Sequence, residues 1–170
     1  MRLAALPDRD LDQRELTSLA DQIAGQPGLW SHQVAFPEEG RHYVSLYRDE
    51  HVDVWLLCWT SGSDTGWHDH DGSAGAVRVV SGAVTESIPR IGGEPAAVTR
   101  PGGTSFTYDP DHIHRLTGAA GQSVSIHVYS PPLVRMGQYS IDDQGVIRRL
   151  PLGFAEELRP LTTGPMSLAS

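Results

Sequence analysis

Two pairs of histidines carry the densest chemistry in this sequence: His68 with His70, and His112 with His114. Side chains alternate between the faces of a strand, so two imidazoles at i and i+2 converge on one point, as a metal ion requires. Three neutral imidazoles also leave coordination positions open, which separates a catalytic site from a closed structural one. We therefore predict a metal site built from His68, His70 and His114, with His112 as a rival third ligand. The alternative, that histidine-rich turns are solvated surface, is weakened by finding two such pairs in one chain.

The residues that flank these histidines alternate the other way. Trp67, Asp69 and Asp71 share the opposite face of the same extended segment. We therefore expect Trp67 to point away from the metal, and we interpret Asp69 and Asp71 as surface or turn residues and not as ligands.

A third alternating set consists of Ser125, His127 and Tyr129. These residues stand at i, i+2 and i+4, so they share one face if the segment is a strand. A buried polar row needs mutual partners or water, and a chain of the form O–H···N···H–O would supply them. The alternative is a core histidine that is satisfied between two hydroxyls and has no chemical role. The nearby metal pattern favours a functional row.

The elements that must position these residues are short strands. From about Trp30 onward, short apolar or alternating runs are separated by Gly, Pro and Asp, which is typical of an all-β sandwich or barrel. The runs cover residues 43–48, 52–60, 67–70, 74–80, 83–88, 96–99, 104–108, 112–116 and 123–129, with a further one at 146–150.

Before the strands, the sequence predicts one amphipathic helix. Asp10 or Asp12 could cap it, and Gly25 and Pro27 would end it. An apolar stripe would bury one face of this helix: Leu11, Leu16, Leu19, Ala20 and Ile23. We divide the chain into an N-terminal helical segment packed on the barrel (1–30), the barrel (31–152) and a C-terminal tail with a weak helical patch at 154–158 (153–170).

Composition restricts the classes of protein to which this chain can belong. A length of 170 residues suits one domain, and a net charge of −8 argues against a nucleic-acid or anionic-membrane partner. Cys58 is the only cysteine, so one chain can form neither an internal disulfide nor a thiolate metal cage. With no membrane-length apolar run and no signal-peptide pattern, we expect a cytoplasmic monomer or small homo-oligomer.

The first histidine pair also lies in a recognisable glycine pattern. Gly62, five residues, His68-x-His70, four residues, Gly75, six residues and Gly82 resembles the first motif of the cupin superfamily. Cupins are small β-barrels, or jelly rolls, that hold a metal in the barrel mouth, so the resemblance implies an all-β cupin barrel with a short N-terminal helical segment. Most cupins have a glutamate at the place of Gly75. A three-histidine site without it resembles the cysteine dioxygenase type I branch of the thiol dioxygenases, in its bacterial form.

Three other blocks are similar to that branch in order and spacing. His114-Arg115 resembles its third ligand and the residue that follows, and residues 125–132 resemble its Ser-x-His-x-Tyr-Ser-Pro-Pro segment. Leu57-Cys58-Trp59, nine residues ahead of His68, also matches. The resemblance extends over approximately residues 41–132.

The resemblance implies a site and a reaction. A non-haem Fe(II) would be held by His68, His70 and His114, and a small thiol, either cysteine or a related mercapto acid, would react with O2 to give its sulfinic acid. The row of Ser125, His127 and Tyr129 would reach the open side of the iron, and Trp59 would pack in the pocket wall. The alternatives are a non-enzymatic cupin that binds a small ligand and a cupin enzyme of another reaction with a different divalent metal.

Two departures from the family pattern affect these expectations. Some family members have a cysteine at the place of Gly75 that crosslinks to the active-site tyrosine. No such crosslink can form here, so we expect Tyr129 to remain a free phenol and Cys58 to pack as a small hydrophobe. The arginine that binds the substrate carboxylate in cysteine-specific enzymes falls at Tyr43.

A tyrosine is a weaker carboxylate partner than a bidentate arginine, because it carries neither the charge nor the fork. Strict alternation puts Arg41, Tyr43 and Tyr47 on one face of their strand and Arg48 on the other. Arg41 could reach into the pocket from the face of Tyr43, and Arg48 could do so only if the other face lines the barrel. We favour Arg41 or Arg48 as the carboxylate partner and expect weak selectivity for L-cysteine, or a preference for another thiol.

Overall fold

The protein is a β-structure with one α-helix near its start. A computed structural model describes residues 6–38, 41–141 and 147–153. In these ranges, helix α1 spans Gln13–Ala24 and single 3-10 turns follow at Pro27–Leu29 and Ser31–Gln33. The strands are β1 His42–Arg48, β2 Asp53–Thr60, β3 Trp67–Asp69, β4 Ala74–Ser81, β5 Ala83–Ile88, β6 Ala96–Pro101, β7 Ser105–Tyr108, β8 Arg115–Gly118, β9 Gln122–Ser130, β10 Arg135–Ile141 and β11 Ile147–Gly153. The predicted all-β fold with a short N-terminal helix is confirmed.

The strands form three antiparallel sheets. The largest has the order β1-β2-β9-β4-β7, and the two smaller sheets have the orders β11-β10-β3 and β6-β5-β8. An isolated bridge joins the two smaller sheets: the backbone N–H groups of His68 and His114 each donate to the other residue's carbonyl, over 2.9 and 3.0 Å. Two residues of the histidine pattern therefore lie directly opposite each other.

The five-stranded sheet is covered on both faces. Helix α1 covers one face with an apolar cluster that includes Leu16, Leu19, Ile23, Val54, Leu56, Ala76, Ile126 and Val128. The other face and the two smaller sheets enclose a second cluster that includes Leu57, Trp59, Val77, Val79, Phe106, Leu116, Tyr129, Leu133 and Met136. Burial on both faces explains why β2 reads as a nearly continuous apolar run, whereas β9 alternates apolar residues with buried polar ones.

Helix α1 begins and ends as its sequence predicts. Asp12, one of the two predicted caps, accepts from the backbone N–H groups of Arg14 and Glu15, and the Glu15 carboxylate accepts from the Asp12 N–H. This capping box satisfies donors that the first turn leaves unpaired. Gly25 ends the helix.

Two strand predictions need correction, and one strand was not predicted. The run predicted at 112–116 becomes a strand only at Arg115, because Asp109 and His112 close a turn around Pro110, which has no N–H to donate. Strand β10 was not predicted, since Gly137 and its polar neighbours give a weak strand signal. The last predicted strand is β11, which runs to Gly153, and the predicted helical patch at 154–158 lies outside the described residues.

Strand β1 also departs from strict alternation. Its register with β2 shifts between Ser45 and Tyr47, which is a β-bulge. Because of this shift, Tyr47 packs with Val44 against the α1 side of the sheet, whereas Tyr43 packs on the barrel side. The prediction that Tyr43 and Tyr47 share a face is therefore wrong. No helix in the described ranges is long and apolar enough to cross a membrane.

Candidate metal centre

Three histidines meet inside the barrel. His68 and His70 come from β3 and the residue after it, and His114 precedes β8. One ring nitrogen from each lies within 4.8 Å of the other two, and all three side chains are buried. The ring centroids are 4.7 to 5.1 Å apart. The same nitrogens could surround one metal ion.

The hydrogen bonds of these rings direct nitrogen lone pairs inward. His68 Nδ1–H donates to the Gly66 carbonyl over 3.0 Å, and His114 Nδ1–H donates to Glu86 Oε1 over 3.2 Å. In the described part of the chain, His114 Nε2 and His70 Nδ1 are buried and have no hydrogen-bond partner. Buried polar atoms without partners are rare, and a metal ion held by the cluster would satisfy His114 Nε2. The residues therefore fit a metal.

The protonation state of the three histidines also favours metal binding. Burial, reinforced by the neighbouring imidazoles, lowers the pKa of His68 and of His70 well below the ordinary value. Burial also lowers the pKa of His114, although the Glu86 carboxylate opposes the shift. Neutral imidazole is the form that binds metal, so the cluster needs little deprotonation near pH 7.

Glu86 is a residue of this site that the sequence interpretation missed. Burial raises its pKa, but the neighbouring His112 and hydrogen bonds from His114 and Arg100 outweigh that effect and hold the pKa below its usual range. His112 is partly exposed, and its Nε2 lies 3.4 Å from Glu86 Oε1. His112 thus belongs with Glu86 on the far side of His114 and not to the three-histidine cluster. The only signal in the sequence was one acidic residue inside an otherwise uncharged strand.

The second predicted set forms a hydrogen-bonded row on β9. Trp59 Nε1–H donates to Ser125 Oγ over 2.8 Å, and Ser125 Oγ lies 2.8 Å from His127 Nε2. His127 Nδ1 lies 3.3 Å from Tyr129 Oη. Burial lowers the pKa of His127 to about 3, so its imidazole is neutral.

The indole of Trp59 restricts the direction of this row. An indole N–H can only donate, so Ser125 Oγ accepts from it and keeps its own hydrogen to donate. In the tautomer of His127 in which Nε2 accepts that hydrogen, Nδ1 carries the ring proton and donates to the Tyr129 oxygen. The Tyr129 O–H is then a donor to other neighbours.

The three histidines and two members of the row, His127 and Tyr129, line one small cavity of about 30 Å³. The rings of His70 and Tyr129 are 5.5 Å apart between centroids. The cavity is lined by Arg41, Trp55, Leu57, Trp59, Thr65, His68, His70, Tyr108, His114, Leu116, His127, Tyr129, Leu133 and Met136. Chemically active residues predicted in three separate segments of the chain therefore meet in one place.

Among the residues predicted to bind substrate, Arg41 and Trp59 line the cavity, with the Arg41 guanidinium 5.6 Å from the centroid of the Trp59 ring. Tyr43 and Arg48 do not line it. Tyr43 packs against Trp55, with 6.2 Å between ring centroids. Arg48 is held by the buried carboxylate of Asp53 and by the Leu133 carbonyl. The bulge in β1 brings it to Asp53, its partner in the register.

Tyr108 is a second residue that the sequence interpretation missed. Its ring is buried and lies parallel to His70, with 4.4 Å between centroids and 18° between planes. Burial, reinforced by the nearby Tyr129 phenol, raises the pKa of Tyr108 well above its usual value. Tyr108 ends a predicted strand, but no feature of that strand linked it to the histidines.

Asp69 is not the surface residue that was predicted. It is buried, and Arg149 donates to it over 2.7 and 2.8 Å. The Tyr139 hydroxyl and the Gly137 N–H donate to it as well. The correction follows from the unpredicted strand β10, which with β11 covers this face of β3. Asp71 is exposed, as expected.

Fold and site together define the chain as a cupin. Three solved structures share this fold at low sequence identity. A double-stranded β-helix protein from Klebsiella pneumoniae is 12% identical with a TM-score of 0.51, over 70% of this chain and 91% of its own. A cupin superfamily protein from Desulfitobacterium hafniense is 12% identical with a TM-score of 0.50, over 74% and 98%. An RmlC-like cupin from Desulfovibrio desulfuricans is 15% identical with a TM-score of 0.50, over 58% and 90%.

A comparison with protein families narrows this class. The model of the family described as cysteine dioxygenase type I matches residues 4–142. The chain therefore belongs to the cysteine dioxygenase type I family, as the sequence motifs predicted. Membership of this cupin family implies a bound metal, for which the three-histidine cluster is the candidate site.

Proposed function

We propose that this protein is a non-haem Fe(II) thiol dioxygenase that converts a small thiol and O2 into a sulfinic acid. One observation carries the proposal: the Ser125–His127–Tyr129 row ends in the same buried cavity as the three histidines. A cupin that only held a ligand or metal would have no need of a directed row of donors there. Membership of the cysteine dioxygenase type I family supports the same reaction class.

His68, His70 and His114 are the proposed iron ligands. Imidazole suits iron, zinc, copper and nickel, so the choice of Fe(II) rests on the family and not on the ligand set alone. Bound there, Fe(II) would supply O2 activation and would lower the pKa of a coordinating thiol. Glu86 holds the His114 ring in the tautomer that leaves Nε2 available.

Tyr129 is the proposed donor to the reacting groups. In the proposed tautomer of His127, with the ring proton on Nδ1, the row delivers a hydrogen bond to the Tyr129 oxygen and leaves the phenol O–H to donate. Because His127 is neutral and Ser125 holds it, the phenol keeps a defined orientation. Its role is to orient the substrate by hydrogen bonding, in a cavity from which most water is excluded.

Arg41 is the proposed partner of a substrate carboxylate. It lines the cavity, and its charge is felt there, because it helps to lower the pKa values of His68 and His127. Arg48 is dropped from this role, since Asp53 already holds it. We keep the prediction that the enzyme has weak selectivity for L-cysteine or prefers another thiol. A cytoplasmic location is proposed on the single, buried cysteine, Cys58, which suits a reducing compartment.

The test is O2 uptake with a panel of thiols by the iron-loaded protein, with sulfinate identified as the product. The panel contains L-cysteine, cysteamine, 3-mercaptopropionate and mercaptosuccinate, and metal analysis accompanies each preparation. We expect about one iron per chain and stoichiometric sulfinate from at least one thiol. An iron-replete protein that consumes no O2 with any member of the panel would exclude the proposed function in favour of a binding cupin.

A further inference from the structure

Gly75 lies between two tyrosines on neighbouring strands. In the register of the large sheet, it is opposite Tyr108 on β7 and opposite Tyr129 on β9. The two phenol rings approach each other across this position, with 6.5 Å between their centroids. The residue at 75 therefore decides what fills the space between them.

A side chain at 75 and the present position of Tyr108 exclude each other. A Cβ built on Gly75 would lie 2.3 Å from Cε2, 2.4 Å from Cζ and 2.5 Å from Oη of Tyr108. Such distances are far below van der Waals contact. Tyr108 is itself buried against His70 and His114, so its ring has no room to move aside. Gly75 is thus the condition for placing this phenol beside the histidines.

The buried hydroxyl of Tyr108 has no well-formed hydrogen bond to any described residue, although the Tyr129 phenol is near it. Tyr108 lines the cavity, and among the described residues none makes a hydrogen bond of normal geometry with its buried Oη. A buried hydroxyl without a partner is destabilising, and native proteins rarely tolerate one without a reason. A group inside the cavity could supply a hydrogen-bond partner of better geometry.

We propose that Tyr108 is a second catalytic phenol, which donates a hydrogen bond to the substrate in the cavity, and that Gly75 exists at its position to admit it. The inference rests on the proposed function and adds to it a second phenol, which flanks Gly75 on β7 as Tyr129 does on β9. A ring that served only to pack against His70 would need no hydroxyl, and phenylalanine would fill the same space without an unpaired polar atom.

Tyr108→Phe tests the hydroxyl, with Tyr47→Phe as the matched control. Tyr47 loses the same atom, but its hydroxyl bonds to Asp49 on the outer surface. We expect Tyr108→Phe to keep its iron content and to bind the thiol about tenfold more weakly, as loss of one hydrogen bond to a charged group predicts. Anaerobic calorimetric titration of the Fe(II) protein with L-cysteine and with 3-mercaptopropionate measures this affinity.

The outcomes separate the inference from the proposed function. If the wild-type protein oxidises thiols and Tyr108→Phe matches it in affinity and turnover, the inference is wrong and the proposed function stands. If the wild-type protein oxidises no thiol, the proposed function fails, and the inference that rests on it fails too. Reduced affinity in Tyr108→Phe alone, with Tyr47→Phe unchanged, supports the inference.

A double-mutant cycle on the metal-free protein tests the steric pairing without any activity assay. Gly75→Ala is expected to lower the melting temperature by about 5 °C, because the new methyl overpacks a filled space. In a Tyr108→Leu background, which lacks the clashing ring atoms, the same change is expected to have a much smaller effect. Equal effects in the two backgrounds would refute the pairing of Gly75 with Tyr108.

Discussion

His114 and Glu86 form a buried pair in which the imidazole Nδ1–H donates to the carboxylate over 3.2 Å. The carboxylate lies on the side of the ring away from the other two histidines, so it fixes the tautomer and aims Nε2 into the cluster. Glu86 comes from β5, about thirty residues before His114 in the chain. His114, a proposed metal ligand, is therefore oriented by a residue of strand β5.

Glu86→Gln is expected to weaken metal affinity by about 10–100-fold, the usual cost of losing a carboxylate behind a ligating histidine. An amide carries no charge, so it holds the His114 N–H less firmly and leaves Arg100 without its ion pair. Competitive metal titration measures the change. Glu94→Gln, which alters an exposed glutamate, is the control. Equal affinities in the two variants would remove Glu86 from the site.

His114→Ala and His112→Ala distinguish the third ligand from its rival. We expect His114→Ala to lose iron almost completely, because a two-imidazole site retains too few ligands. His112→Ala should keep its iron, since His112 contacts Glu86 and not the cluster. Iron content per chain after purification is the measurement. The assignment is wrong if the His112 variant loses iron and the His114 variant keeps it.

Tyr129→Phe is expected to fold, to bind iron and to oxidise thiols poorly, with turnover reduced by about 10-fold or more. The ring keeps its packing and only the O–H at the end of the row is lost. Steady-state O2 uptake and melting temperature together separate turnover from stability. Because Gly75 replaces a crosslinking cysteine, the intact mass should show no thioether at Tyr129. Wild-type turnover in the variant would exclude Tyr129 from the mechanism.

Arg41→Met should lower activity selectively. Thiols with a carboxylate, such as 3-mercaptopropionate, are expected to lose about 10-fold or more in kcat/KM, whereas cysteamine, which has no carboxylate, should change little. The aliphatic side chain of methionine preserves much of the packing over Trp59. Kinetics across the thiol panel measure the difference. Strong selectivity for L-cysteine that Tyr43→Phe alone abolishes would identify Tyr43 as the carboxylate partner instead.

Asp69→Asn is expected to destabilise the metal-free protein by about 2 kcal/mol, less than for a fully buried ion pair because Arg149 is partly exposed. Burial opposes ionisation of Asp69, but Arg149 and Tyr139 outweigh it and depress the folded-state pKa. The advantage of the wild-type protein over the variant in free energy of unfolding is therefore complete above about pH 4, which is the pKa of an aspartate in the unfolded chain. This advantage declines as the pH falls below that value. Urea unfolding at several pH values measures this trend, with Asp71→Asn as the exposed control. A stability difference between the wild-type protein and Asp69→Asn that grows as the pH falls would contradict this prediction.

The sequence by itself predicted the groups that local strand geometry brings together. His68 and His70 share a face because they stand two residues apart in an extended segment, and the same rule aligns Ser125, His127 and Tyr129. The motif spacing supplied His114 and the family. None of these inferences needed the order or register of the strands.

Tertiary structure alone decided the rest, because pairing register is a non-local property. Tyr108 reaches the histidines only because β7 pairs with β4 so that Gly75 is opposite it. Asp69 is buried because β10 and β11 cover β3. In β1, a bulge places Arg48 opposite Asp53, which binds it, and Arg41 is the arginine that lines the cavity. A shift of one residue reverses the face of every side chain beyond it, and no local sequence pattern records where that shift occurs.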